Sequence, residues 1–168
     1  MVIKLKLKKE DKYRLYKLIG REKMIIQRYN DSMQGEIRDV VLEVLLEHGF
    51  EYDRLKDADL KDINGYYFAK GGTFFVGLAD GRVVGTAAVR KLEGGMCEIR
   101  RIYLKKDFRG KGNGEKLFLA ALDFAGKNCA GVVLKTDTTL KKAISMYLKH
   151  GFTFVEEKEG YLYYEKRF

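Results

Sequence analysis

The chain has 168 residues, enough for one domain with a sizeable core and too few for two comfortable ones. Its 46% hydrophobic and 34% charged residues exclude a wholly disordered chain, and no apolar run approaches the roughly 18 residues of a membrane span. The formal charge of +9 invites a phosphate-bearing partner, while the two cysteines, Cys97 and Cys129, lack disulfide-framework or zinc-ligand spacing, so both are expected as buried, reduced thiols.

The N-terminus, Met1 to Lys9, alternates apolar and basic residues, which fits a strand with one buried face and not a signal peptide. A cytoplasmic protein is expected. Glu10 to about Tyr29 and Gly35 to His48 then read as helices; in the second, Ile37, Val40, Val41, Val44 and Leu45 recur at spacings of three and four. His48 and His150 each end a helix before a glycine, a position that suits capping better than catalysis. Glu51 to Asn64 is acidic and reads as a loop with a short helix, whose Asp57 and Asp59 are candidates to attract a cationic substrate.

From Thr73 the pattern turns to sheet. Thr73 to Ala79 and Arg82 to Lys91 are joined by Asp80-Gly81, a strong hairpin signal, and Gly94-Gly95 leads into Met96 to Leu104. After a helix from Glu115 to Ala125 comes the apolar strand Gly131 to Thr136, and a strand, helix and strand in this order imply a right-handed crossover and a parallel pair. A helix from Thr139 to His150 and a final hairpin, Phe152 to Glu157 and Tyr161 to Arg167, complete one domain over residues 1–168. The expected class is α/β (α+β): a mixed, mostly antiparallel sheet of about seven strands with one central parallel pair and about four helices.

Between the strand ending at Leu104 and the next helix lies Arg109-Gly110-Lys111-Gly112-Asn113-Gly114. Alternate glycines let the backbone turn tightly and approach a ligand, and the first helical turn leaves N–H groups for an anion. From Arg100 to Lys116 seven basic residues stand against two acidic ones, an excess of five positive charges around the loop. The spacing fails a Walker A loop, where Glu115 stands five places after Gly110, and fails a dinucleotide fingerprint by one position at Gly114.

This loop, and the later run Ala143-Ile144-Ser145-Met146-Tyr147-Leu148-Lys149-His150-Gly151-Phe152, resemble the two signature motifs of the GNAT superfamily of N-acetyltransferases, in the same order. The resemblance covers about residues 73–152; residues 8–70 carry no matching motif and correspond to the acceptor side. It implies acetyl-coenzyme A as acetyl donor, no metal, and a primary amine of a small molecule or peptide as acceptor. By position, backbone groups of Arg109, Gly110, Lys111, Gly112, Asn113 and Gly114 would cradle the coenzyme pyrophosphate. Ile102, Tyr103 and Leu104 would border the pantetheine arm, with the Leu104 N–H polarising the acetyl carbonyl. Tyr147 would protonate the leaving thiolate, and Glu98, placed by alternation on one side with Arg100, Ile102 and Leu104, would act as base through water. The chain departs from the family at Leu140, where asparagine is common, and at Lys106, where proline is common. A non-catalytic coenzyme A or acyl-coenzyme A sensor and a basic nucleic-acid-binding protein are the alternatives. The sequence disfavours nucleic acid and a membrane as partners, and leaves the acceptor and the oligomeric state, a homodimer included, open.

Overall fold

The computed structural model describes residues 23–168. The strand expected over Met1 to Lys9 lies outside them, as does the start of the helix expected from Glu10. The elements are β1 (Ile25–Arg28), α1 (Gln34–Glu47), α2 (Ile63–Tyr66), β2 (Thr73–Ala79), β3 (Arg82–Lys91), β4 (Met96–Leu104), α3 (Asn113–Asn128), β5 (Gly131–Asp137), α4 (Lys141–Lys149), β6 (Thr153–Lys158) and β7 (Tyr161–Arg167). The strands form one sheet in the order β1-β2-β3-β4-β5-β7-β6, with β4 and β5 parallel and every other pair antiparallel. A mixed sheet of seven strands with one parallel pair and four α-helices is therefore present among the described residues, in the class that the sequence implies.

The end of the helix expected to reach Tyr29 is instead β1, which pairs with β2 from Ile25↔Leu78 to Arg28↔Phe75. A four-residue edge strand owes its conformation to ladder hydrogen bonds from a distant segment, which no local periodicity reveals. Both two-residue hairpins meet the mirror-image turn requirement: Asp80 and Gly81 have φ of 48° and 73°, Glu159 and Gly160 of 53° and 78°.

Side-chain alternation along the strands divides the core into two layers. Ala87, Val89, Cys97, Ile99, Val132 and Leu134 face α3 and α4, meeting Leu117, Phe118, Ala121, Ala125 and Tyr147. Phe74, Val76, Leu78 and Ala88 face α1 and α2, meeting Ile37, Val40, Val41, Ile63 and Tyr67. Cys97 and Cys129 are joined as a disulfide with Cα atoms 6.0 Å apart, which corrects the expectation of two reduced thiols. Cys97 is fully buried on β4 and Cys129 is half-buried after α3. The crossover helix runs antiparallel to the strands it connects and returns its last residue to the start of β4, a proximity that sequence spacing does not reveal.

At Gly85 the packing of β3 against α3 and β4 leaves no room for a side chain. A Cβ there would lie 2.7 Å from Leu117 Cδ1, 2.9 Å from Leu104 Cδ1 and 2.9 Å from the Tyr103 carbonyl oxygen. Gly85→Ala is expected to destabilise the protein by about 1–3 kcal/mol through overpacking, read as a lower urea midpoint with an unchanged slope.

Candidate active site

The parallel pair is short. β4 and β5 pair only at Met96↔Gly131, Cys97↔Val132 and Glu98↔Val133; beyond these, β4 stays with β3 as far as Leu104 and β5 stays with β7 as far as Asp137. The two strands thus separate toward their carboxyl ends, which is where ligands of open α/β sheets bind. The Lys105 N–H donates to Val84 O at 2.9 Å, so by alternation the N–H and C=O of Leu104 face away from β3, into the opening. Ile102 and Leu104 pack with the α3 layer, whereas Tyr103 packs with the α1 layer.

The glycine loop closes the end of this opening. Gly110 and Gly112 have φ of 76° and 75°, the left-handed conformation in which a side chain is strained, and the space beside each is open. Gly112 is the N-cap of α3 and no side chain caps the helix there. The first-turn N–H groups and the positive end of the helix dipole are consequently presented to an anion. Asn113 is buried and its side-chain amide donates to Phe108 O at 3.0 Å, fixing the loop.

The basic residues around the loop do not all serve it. Arg109 turns inward, its Nε donating to Leu104 O at 2.8 Å and its Nη2 lying 2.7 Å from Glu47. Lys105 pairs with Glu43 at 2.8 Å, and Arg101 is buried. Lys111, on the loop, is exposed. The excess of five charges is therefore largely spent within the fold, which weakens the reading of a basic nucleic-acid surface.

A β-bulge sits in the middle of β4. Ala88 pairs with Arg100 and Thr86 with Tyr103, leaving Arg101 and Ile102 opposite Ala87. Arg101 adopts φ of 57°, uncommon for a residue with a long side chain. This turns its guanidinium to the α2 side, where Nη1 meets Asp57 at 2.7 Å, Nε meets Asp59 at 3.0 Å and Nη2 meets Lys56 O at 2.9 Å. The Tyr67 hydroxyl donates to Asp59 as well. Burial works against the charge on Asp59, but the hydrogen bonds and charge of Arg101 outweigh it and hold its carboxyl below the usual range. Asp53 accepts from Leu55 and Lys56 N–H, and Asp62 accepts from Gly65 N–H at the start of α2. Four of the acidic residues between Glu51 and Asp62 are thus consumed by structure, and the cationic acceptor they suggested loses its basis.

The bulge also corrects the expected alternation. Glu98 and Arg100 lie on the α2 side, while Ile102 and Leu104 pack on the other. Glu98 forms a cross-strand ion pair with Arg90 at 2.6 Å and lies 3.8 Å from Arg100.

Tyr147 comes from α4, anchored where His150 and Lys149 meet Glu115 of α3 at 2.6 and 2.8 Å. Its ring packs against Phe118, Phe152 and Tyr164 with centroids 5.4, 6.2 and 6.3 Å away. Burial, and then the neighbouring Tyr103, push the Tyr147 hydroxyl above the ordinary tyrosine value, so it keeps its proton at neutral pH. Tyr103 packs in the α1 layer and Tyr147 in the α3 layer. Leu140 is the N-cap of α4 and supplies no capping hydrogen bond. Among the described residues no cluster of His, Cys, Asp and Glu is set to hold a metal, and no helix is long and apolar enough to cross a membrane.

A family model described as the acetyltransferase (GNAT) family matches residues 38–152, well over half of the chain. An uncharacterized N-acetyltransferase, YjgM, of Escherichia coli K12 is 28% identical over 84% of this chain and 89% of its own length. The N-acetylaspartate synthetase of Danio rerio is 36% identical over 61% of this chain, which spans 38% of that protein. Among solved structures, an acetyltransferase of the GNAT family from Staphylococcus aureus Mu50 has a TM-score of 0.78 at 22% identity, covering 86% of this chain and 99% of its own. The PaiA N-acetyltransferase of Thermoplasma acidophilum, in complex with coenzyme A, has a TM-score of 0.71 at 17% identity, covering 87% and 99%. These two likenesses show the fold.

The Arg101 cluster makes a prediction with a definite sign. Arg101→Met strands two buried carboxylates and is expected to cost about 3–5 kcal/mol. In the parent, the depressed Asp59 pKa contributes stability that is present above the unfolded value of about 3.9 and is lost as the pH falls through the folded value. In the variant, burial without a cation raises the carboxyl pKa, so the variant gains stability as the pH falls from 7 toward 4.5 while the parent does not. Denaturant unfolding across this range checks both slopes.

Proposed function

The chain belongs to the acetyltransferase (GNAT) family and is an acyltransferase, and from that premise we propose that it transfers the acetyl group of acetyl-coenzyme A to a primary amine by direct attack within a ternary complex. The observation that carries this reading is the opening of β4 from β5 beyond Glu98 and Val133, bordered by an uncapped, glycine-lined helix start. The residues present fit the donor. Gly110 and Gly112 leave open space for pyrophosphate oxygens, Lys111 adds an exposed positive charge, and the Leu104 N–H faces the gap in which a thioester would lie. Arg109 acts indirectly, fixing the end of β4 through the Leu104 carbonyl.

Bound acetyl-coenzyme A supplies an activated acetyl group. The Leu104 N–H stabilises negative charge developing on the carbonyl oxygen. An alkylamine of pKa about 10 is only about one part in a thousand neutral at pH 7, so deprotonation needs help. Glu98, paired with Arg90 at 2.6 Å, accepts that proton through water on the α2 side of the sheet. As nitrogen bonds to the acetyl carbon and the carbon–sulfur bond breaks, the sulfur leaves with the electron pair and takes the Tyr147 hydroxyl proton, while the nitrogen releases its surplus proton to water as the amide forms and the tyrosinate regains a proton from solvent. Burial suits Tyr147 to this step by keeping it protonated. The acceptor of N-acetylaspartate synthetase is not carried over, since the match spans 38% of that protein.

Calorimetric titration should show acetyl-coenzyme A binding; its absence at millimolar ligand would end this reading. Tyr147→Phe is expected to lower kcat by about 10²-fold with unchanged acetyl-coenzyme A affinity, and an unaltered kcat would remove Tyr147 from the reaction. Gly112→Val is expected to weaken that affinity by roughly tenfold, the equivalent of forcing a β-branched residue into the left-handed region.

A further inference from the structure

The α2 side of β3 and β4 carries more positive charge than its carboxylates neutralise. Lys70 Nζ and the guanidinium carbons of Arg90 and Arg100 lie 5.0, 5.8 and 5.9 Å from the centre of one ring, that of Tyr66. Glu98 is the carboxylate among them, and its close partner is Arg90, at 2.6 Å. Asp59, which also senses Arg100, is already held by Arg101 and Tyr67. Three cations therefore face one available carboxylate, on the strand segment where β4 leaves β5.

Two donors in this cluster are unspent. Arg100 Nη1 stands 3.8 Å from Glu98, beyond hydrogen-bond reach, and its side chain is 22% exposed. The Tyr66 oxygen accepts from Arg90 Nη1 at 3.0 Å, so its own hydroxyl proton remains available to another acceptor. A guanidinium and a phenol O–H converging beside a partly open carboxylate match a ligand that carries an anion next to a cation. Polyamines and lysine-rich peptides bring only more positive charge to a site already in excess.

Resting on the acetyltransferase reading above, we propose that the acceptor is a free amino acid, its carboxylate received by Arg100 and Tyr66 and its ammonium group directed to Glu98. The guanidinium fork holds the carboxylate in two-point geometry, which fixes where the adjacent amine lies. Arg100 is then a specificity residue on the acceptor side and takes no part in binding the donor.

The experiment titrates the protein, saturated with coenzyme A, with a panel of the common amino acids, their carboxamides, and dipeptides beginning with the same residues. At least one amino acid is expected to bind ten times or more tightly than its carboxamide and its dipeptide. That preference should vanish in Arg100→Gln and be reduced but not abolished in Arg100→Lys, which keeps the charge and loses the two-point fork, with coenzyme A affinity unchanged in both. Equal affinity for acid and carboxamide, a preference that persists in Arg100→Gln, or no amino acid bound at millimolar concentration would overturn the proposal. Loss of coenzyme A binding by the parent protein would overturn the acetyltransferase reading, so the two failures are distinguishable.

Discussion

The burial of the Arg101 guanidinium between Asp57 and Asp59 is the constraint on which the arrangement of the site depends. Taking three charged groups out of water costs several kcal/mol per ion, repaid only if hydrogen bonding is nearly complete. Here Arg101 meets two carboxylates and the Lys56 carbonyl, and Asp59 also receives the Tyr67 hydroxyl. The cluster ties β4 to the loop before α2, and it holds Arg101 in a backbone conformation that a long side chain otherwise avoids. The bulge in β4 follows from that conformation, and with it the phase of every side chain downstream.

That phase separates two chemistries by the thickness of one sheet. Before the bulge, Glu98 and Arg100 rise on the α2 side; after it, Ile102 and Leu104 descend toward α3. Without the bulge, strict alternation would put all four on one side, mixing the charged residues with the apolar contacts made by α3. With it, the uncapped start of α3 and the Leu104 N–H border the opening from one side, while the Tyr66, Arg90, Glu98 and Arg100 cluster faces its other side.

Features set by local chemistry were legible in the sequence. The Asp80-Gly81 turn, the 3.6-residue period of α1, the glycine loop and the crossover from β4 to β5 each depend on residues close in the chain. Features set by distant pairing were not. β1 is a strand because β2 is beside it, and Cys129 meets Cys97 because α3 returns to the start of β4. The bulge leaves a trace in the sequence, since adjacent Arg100 and Arg101 interrupt the alternation and the even positions change from polar Glu98 and Arg100 to apolar Ile102 and Leu104; its cause, Asp57 and Asp59, lies some forty residues earlier, and sequence separation alone does not reveal a buried ion pair. The same blindness made the acidic stretch look like an acceptor lure and the basic stretch look like a phosphate surface, when Arg101 cancels part of each.

Charge counted along the chain and charge available to a ligand are therefore different quantities here. Arg101, Lys105 and Arg109 are neutralised by Asp57, Asp59, Glu43 and Glu47, all from the segment between β1 and β2. Each pair anchors that segment to β4 or to the loop after it, so the N-terminal half supplies acidity that positions the site and does not line it. The remaining basic residues are divided: Lys106, Lys111 and Lys116 are exposed at and around the loop, while exposed Lys70 and partly exposed Arg100 lie over Tyr66 on the other side of β4. A thioester donor with a polyphosphate end and an acceptor with a carboxylate would each find a positive region, and the sheet between them would keep the two anions from competing for the same cations. Glu98 stands at the last β4–β5 pair, on the α2 side and beside the opening, which is the placement that the proposed proton transfer requires of it.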